Sequence, residues 1–345
     1  MHAVGSIAPA RRRMLTAAIA ALTAAACLAF AAAPAAAKYS GPKLLTPRAD
    51  LAAAFHCPID PAGSKKTPVM FVTGTGATGQ QGYLIGQDAF EAAGHPVCYV
   101  DFPDFTTADI QVSVEYLVFG LRKEFKLAGG RKVAVIGISQ GGLLPRFALT
   151  YWPDLQRKVG DVLAAAGTQH GTTAGSFDCS AASPCIPAGW QQAKGSNLLR
   201  AINSQPDESP GDTSFTTVRS LADETVQPQD GKHPTSSLQG ATNILIQDVC
   251  PGRETTHIGT ALDSVTFAAF IDAMADDDEG KKGAAKVSRL PGDVCDHPYA
   301  PGLDEAKTDA FLAGSGALVG SQSDSSPKVG AEPKVRSVFK KIAKR

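Results

Sequence analysis

The sequence carries no surplus of charge: 33 Lys and Arg stand against 33 Asp and Glu over 345 residues. Without a basic excess the body of the chain has no electrostatic footprint for nucleic acid, so no such partner is expected. There is no Cys-x-x-Cys pair and no His set beside two cysteines, and a zinc site built from the usual ligands is therefore not expected either. Asp, Glu and Lys are missing altogether from residues 1–37, which instead hold Arg11, Arg12 and Arg13 followed by an Ala- and Leu-rich run. Ala35-Ala36-Ala37 ends that run with the small residues of a cleavage site, so residues 1–37 read as an export signal peptide rather than a membrane anchor. The paired arginines before Met14-Leu15 resemble a twin-arginine signal without deciding between Sec and Tat export. The mature chain is expected outside the cytoplasm, secreted or periplasmic.

Cleavage after Ala37 would leave 308 residues, with 30 basic against 33 acidic side chains and a net charge of −3. That length suffices for one large α/β domain, expected over residues 38–313. Six of the seven cysteines remain: Cys57, Cys98, Cys179, Cys185, Cys250 and Cys295. An even count in an exported chain reads as three disulfides, although six cysteines allow 15 connectivities and the sequence alone does not choose.

Short apolar runs recur along the chain: Val69–Val72, Val97–Val100, Lys132–Ile136, Asp161–Ala166 and Thr242–Val249. Continuous runs of this kind suit strands buried on both faces of a parallel sheet. Ile110, Val114, Leu117, Val118 and Leu121 recur at helical spacing between two of them, and Leu143, Phe147 and Leu149 begin another helical pattern. Alternating strands and helices predict a doubly wound, mostly parallel α/β sheet. From Gly314 the texture becomes rich in Gly, Ser, Pro and Lys, and residues 327–345 hold seven Lys or Arg against the single acid Glu332. Residues 314–345 are expected to form a flexible basic tail. Within it Val335, Val338, Phe339 and Ile342 share a helical stripe that could meet a lipid or anionic envelope surface.

The strongest chemical signal is Gly137-Ile138-Ser139-Gln140-Gly141-Gly142, placed between the Val133–Ile136 run and a helical pattern. Small residues two before and two after the serine permit the sharp strand-to-helix turn that lifts a nucleophilic hydroxyl above a sheet. A serine needs a general base, and the base a carboxylate, in the order serine, acid, histidine for this fold. Of the downstream histidines, His170 sits in a turn, His233 in a polar loop and His297 in a Pro-rich segment. His257 follows the Asn243–Val249 run and its Cys250-Pro251 turn, as a base on a late loop should. Asp223 and Glu224 follow the extended Thr216–Leu221 run, and in an extended segment only one of them can face His257. Asp223 is the better choice on its shorter arm. The developing oxyanion needs donors already in place: the backbone N–H of Gln140, and Thr75 in Thr73-Gly74-Thr75-Gly76-Ala77-Thr78-Gly79 through N–H and hydroxyl. That Gly-rich stretch lacks the Gly-Lys-Ser/Thr ending of a phosphate loop.

At these residues the chain resembles lipase B of Candida antarctica and related secreted α/β-hydrolase lipases. The resemblance rests on Thr73 to Gly79, Gln111-Val112-Ser113-Val114-Glu115-Tyr116, Ser139-Gln140-Gly141-Gly142-Leu143, Trp190-Gln191-Gln192 and Asp223-Glu224-Thr225-Val226-Gln227-Pro228, in that order. It runs from about Phe55 to Cys295. It implies a triad of Ser139, Asp223 and His257, an oxyanion hole of Thr75 and Gln140, and Gln192 in the acyl pocket. It also implies pairing of Cys57 with Cys98 and Cys250 with Cys295, which leaves Cys179 to Cys185. The family acts on triglycerides and simpler esters, needs no metal or cofactor, and can transfer acyl groups to alcohols; a monomer is expected. Where the family has Trp before the serine this chain has Ile138, so a wider pocket for the alcohol part is expected. Competing readings are a polyester depolymerase or cutinase-like hydrolase on the same elbow, and a catalytically silent envelope-binding protein. Retention of serine, acid, histidine and both oxyanion positions argues against the silent scaffold.

Overall fold

The computed structural model describes residues 40–174, 178–278 and 283–341 together with His2, so the expected signal peptide, apart from His2, lies outside the described residues. Seven strands form one sheet in the order β1-β3-β2-β4-β5-β6-β7. They are β1 (Phe55–His56), β2 (Val69–Val72), β3 (Val97–Val100), β4 (Val133–Ile138), β5 (Val159–Ala165), β6 (Ser214–Arg219) and β7 (Thr242–Leu245). β1 pairs antiparallel with β3, and every other pairing is parallel.

The apolar runs explain this arrangement. Side chains alternate across a strand, so a run with no polar break must be covered on both faces. In β2, Val69 and Phe71 face the helix Gly79–Ala93 and the helix Ser264–Asp278, whose Phe90 and Phe270 belong to the same apolar cluster. Met70 and Val72 face the other side, with Leu117 and Leu121 of the helix Ile110–Leu127 and Leu143 of the helix Gln140–Tyr151. The crossover from β2 to β3 therefore runs over one face and that from β3 to β4 over the other. β4 lies on the opposite side of β2 from β3, so the chain leaves β2 and β4 in different directions and opens a crevice at their C-terminal ends. This is the α/β-hydrolase type of sheet.

Two expectations need correction. The Thr242–Val249 run is a strand only to Leu245, and Ile246–Val249 form a helical turn. More consequential, the packing does not change at residue 313. A helix spans Glu305–Ser325, with the Asp304 side chain accepting from the Lys307 N–H at 2.9 Å. Its Gly- and Ser-rich composition hides it, because small residues carry little periodic signal. Beyond it the chain is tied to the body: Glu332 accepts from the backbone N–H groups of Asn197 and Leu198, each at 2.9 Å, and Arg336 pairs with the buried Glu115 at 2.5 Å. Val335 and Phe339 are buried, with the Phe339 ring 4.9 Å from that of Phe147. Half of the apolar stripe is thus spent on the core; Ile342 lies outside the described residues.

Disulfides join Cys57–Cys98, Cys179–Cys185 and Cys250–Cys295. With sequence separations of 41, 6 and 45, loop-closure entropy gives the long pairs about 4 kcal/mol each and the short one about 2 kcal/mol. The short pair therefore matters chiefly as a local clamp. A proteolytic digest made without reductant should contain these three cross-linked pairs; free thiols at Cys179 and Cys185 would contradict the clamp.

Glu124, on the helix Ile110–Leu127, is completely buried, and neither of its carboxyl oxygens has a hydrogen-bond partner among the described residues. Burial pushes its pKa well above the ordinary carboxylate value, so the folded protein holds it neutral. An acid whose pKa is raised by folding stabilises fully below its unfolded pKa and loses that contribution as pH rises through the folded value. Glu124→Gln should therefore be more stable than wild type to urea at pH 8, and the gap should close towards pH 4. A pH-independent gap would contradict the neutral assignment.

Candidate active site

The expected nucleophile Ser139 follows β4 directly and precedes the helix Gln140–Tyr151. Its φ is +57° and ψ −124°, a conformation a non-glycine residue adopts only where its surroundings enforce it. The flanking glycines show what enforces it. A Cβ on Gly141 would stand 2.2 Å from the Val72 carbonyl oxygen, and one on Gly137 would stand 2.0 Å from that of Gly141. No side chain fits at either place, so the helix start lies directly on the end of β2. The Ser139 N–H donates to the Ala165 carbonyl at 3.0 Å, and its own carbonyl accepts from Gly142 at 2.9 Å. Gly74 lies against it, with a Cβ there only 3.1 Å from that of Ser139.

Ser139 and His257 line one cavity of about 550 Å³, within the range of small-molecule sites. His257 is buried, and its Nδ1 lies 2.9 Å from Oδ2 and 3.1 Å from Oδ1 of Asp223. Asp223 is itself held: Oδ1 accepts from the N–H groups of Thr225 and Val226 at 2.9 and 2.8 Å, and Gln229 Nε2 reaches Oδ2 at 3.5 Å. A carboxylate fixed by two backbone donors keeps the imidazole in one orientation with Nδ1 protonated, leaving Nε2 to accept. The chain bends at Glu224 instead of continuing as a strand, so both acids reach His257. Asp223 takes the ring, whereas Glu224 Oε2 accepts from the His257 backbone N–H at 2.9 Å.

The expected oxyanion positions lie beside the serine. Gln140 is the first residue of its helix, where backbone N–H groups have no partner within the helix. Its side chain is completely buried, and Oε1 accepts from the Thr75 hydroxyl at 2.8 Å. Gln192 does not face the cavity as expected of an acyl-pocket residue. It is completely buried behind these two, where its Nε2 donates to Thr75 Oγ1 at 2.9 Å and to Gln140 Oε1 at 3.2 Å. The Ala188 carbonyl, 3.2 Å from the same nitrogen, and the Thr168 hydroxyl, 3.1 Å from Oε1, fix which end of the amide is which. Because Gln192 satisfies Thr75 Oγ1 as an acceptor, the single hydroxyl proton is free to turn from Gln140 towards a substrate. The motif around Trp190 marks Gln192, but no sequence signal separates bracing from lining.

Ile138 lines the cavity, as do Gly82 and Phe71. Across the mouth stand Ile186, beside the Cys179–Cys185 clamp, and Leu318 and Val319 of the helix Glu305–Ser325, a wall that sequence reasoning missed. The other histidines are elsewhere. Nε2 of His170 is 3.0 Å from Glu208 and its Nδ1 3.1 Å from the Thr235 carbonyl, while His233 and His297 are exposed.

No family model matches the chain. It is 32% identical to lipase B of Pseudozyma antarctica over 243 residues, covering 68% of this chain and 69% of that protein. Among solved structures it superposes on Aspergillus fumigatus lipase B with a TM-score of 0.77 at 27% identity, covering 87% of this chain and 73% of the other. Identity at that level, spread over two thirds of both proteins, places this chain in the lipase B family of α/β-hydrolases.

Proposed function

We propose that the chain is a secreted serine hydrolase that cleaves carboxylic esters, acylglycerols or simpler esters, through Ser139, His257 and Asp223. One observation carries the reading. A serine in a strained elbow and a histidine oriented by a buried, doubly hydrogen-bonded carboxylate open into one apolar cavity, beside the start of the helix Gln140–Tyr151 and the Thr75 hydroxyl. Supporting export are the expected signal peptide and the three disulfides, and no helix among the described residues is long and apolar enough to cross a membrane.

In this mechanism Ser139 Oγ attacks the ester carbonyl carbon while its proton passes to His257 Nε2. Negative charge gathers on the former carbonyl oxygen, where the N–H groups of Thr75 and Gln140 and the Thr75 hydroxyl receive it. His257 then protonates the departing alkoxide, leaving the acyl group on Ser139. Water then attacks the acyl carbon while giving its proton to His257, the bond to Ser139 Oγ breaks to release the acid, and His257 returns the proton to Ser139 Oγ. An alcohol in place of water accepts the acyl group instead, which is acyl transfer. Neither half needs a metal or cofactor. Asp223 stays ionised throughout and stabilises the imidazolium by charge.

Steady-state rates on a p-nitrophenyl ester series from acetate to palmitate, set beside emulsified triglyceride and a polyester film, test the substrate class. Substantial film hydrolysis with weak triglyceride turnover would favour the polyester reading. On a soluble butyrate ester Asp223→Asn should lower kcat by roughly 10⁴-fold with KM nearly unchanged. Glu224→Gln, which keeps an acceptor for the His257 N–H, should cost less than about tenfold. The reverse ranking would overturn the assignment of the acid. Ile138→Trp should slow esters of bulky secondary alcohols while sparing ethyl esters, and equal loss on both would show that Ile138 does not border the alcohol moiety.

A further inference from the structure

Three consecutive residues without a glycine among them, Asp104, Phe105 and Thr106, have φ values of 51°, 55° and 64°. For L-residues one such conformation is uncommon, and a run of three forms a left-handed turn that local preference opposes at every step. The turn follows Pro103, and none of its side chains belongs to the proposed triad. Its contacts are directed elsewhere. The Phe105 carbonyl accepts from the N–H groups of Gly76 and Ala77 at 2.8 and 3.1 Å, and the Thr106 hydroxyl donates to the Ala77 carbonyl at 2.8 Å. Thr106 is completely buried, whereas the side chains of Asp104 and Phe105 are exposed. What the left-handed run contributes is therefore one carbonyl and one hydroxyl aimed at residues 76 and 77.

Those residues directly follow Thr75. The peptide plane joining Thr75 to Gly76 contains the Gly76 N–H together with the Thr75 Cα and carbonyl, so holding that N–H anchors the Thr75 Cα from which its N–H and hydroxyl are placed. On the opposite side the same loop meets the helix Glu305–Ser325: a Cβ on Gly76 would stand 2.7 Å from Val319 Cγ1. Ser326, which ends that helix, donates its hydroxyl to the Gln322 carbonyl at 2.8 Å and brings the same oxygen within 3.3 Å of the Asp104 carbonyl. The loop is thus held between the left-handed turn and the cavity wall. A right-handed turn at 104–106 would relieve the backbone but turn the Phe105 carbonyl away from both amides.

We propose that Asp104-Phe105-Thr106 is a positioning element for the oxyanion site, its unfavourable backbone maintained because it holds the Thr75 loop in the geometry required by the transition state. The inference rests on the reading of Thr75 as an oxyanion donor. Because the oxyanion contact is made in the transition state, a loosened loop should act on kcat and not on KM.

The test compares Thr106→Val, which removes the hydroxyl at nearly constant shape, Thr106→Ser, which keeps it, and Asp104→Pro, which forbids the positive φ at an exposed position. Asp104→Gly, which permits it, is the backbone control, and Thr75→Val tests the underlying reading. On a soluble butyrate ester, Thr106→Val and Asp104→Pro should each lower kcat about tenfold with KM unchanged, and should weaken binding of a trifluoromethyl ketone analogue by the same factor. Thr106→Ser and Asp104→Gly should stay within twofold of wild type. If Thr106→Val does not fold, Asp104→Pro against Asp104→Gly decides. Folded Thr106→Val and Asp104→Pro with wild-type kcat, or equal losses in Thr106→Ser and Thr106→Val, would overturn the proposal. If Thr75→Val is crippled while those two are not, only the positioning role fails; an unaffected Thr75→Val removes the oxyanion reading itself.

Discussion

At the C-terminal ends of β2 and β4 two stretches of backbone touch, Gly141 against the Val72 and Thr73 carbonyls, and the rest of the site takes its coordinates from that contact. It brings the start of the helix Gln140–Tyr151 down onto the neighbouring strand, so the loop after β2 runs past Ser139 rather than above it. Gly74 then lies against the serine, and Thr75 comes within hydrogen-bond reach of Gln140. A single methyl group at residue 141 could not be accommodated without parting the two strands. The sheet supplies the stiffness that holds the contact: both strands are buried on both faces and paired in parallel register over four residues.

Around that contact the site is built in tiers of hydrogen bonds that reach steadily farther from the serine. Asp223 orients His257, two backbone amides hold Asp223, and Gln229 and Ser236 close the set behind it. On the oxyanion side Gln192 holds Thr75 and Gln140, and Thr168 with the Ala188 carbonyl holds Gln192. Each tier is buried, where an unmade hydrogen bond costs about 1–3 kcal/mol, so the polar network disfavours alternative arrangements of the site. The cavity it borders is apolar by contrast, and its far wall is the Gly- and Ser-rich helix Glu305–Ser325.

Much of this was legible in the sequence because it depends on short-range signals. The unbroken apolar runs locate β2 to β5, and the Gly-x-Ser-x-Gly elbow with its strand and helix contexts locates Ser139. His257 stands out because it follows a late apolar run and its Cys250-Pro251 turn, whereas His170 lies in the turn after the strand next to the serine, His233 in a polar loop and His297 in a Pro-rich segment. What escaped notice is long-range or lacks periodicity. β1 is two residues long, and β6, whose apolar pattern is broken by threonines, shows in the sequence only as the extended Thr216–Leu221 run. The helix Glu305–Ser325 buries few of its own side chains, so it reads as a tail although it walls the cavity. Val335 and Phe339 form an apolar stripe that joins the protein's own core, with the Phe339 ring against Phe147 and Tyr151. Gln192 was found through its motif, but its bracing role depends on Gln140 and Thr75, 52 and 117 residues away in sequence, and the link from Thr106 to Ala77 spans 29. The Asp223–Glu224 pair shows the same limit: alternation assigns opposite faces to neighbours only in an extended chain, and here the chain bends.

The central claim is that one serine, activated by one histidine, does the chemistry. Its most direct measurement is intact-mass and peptide mass spectrometry after treatment with a p-nitrophenyl phosphonate. The account predicts one stoichiometric adduct, mapped to Ser139, formed quickly in the wild type and far more slowly when His257 is replaced by Ala. Ester hydrolysis that persists with no adduct at Ser139, or an adduct on another residue that alone abolishes activity, would contradict it.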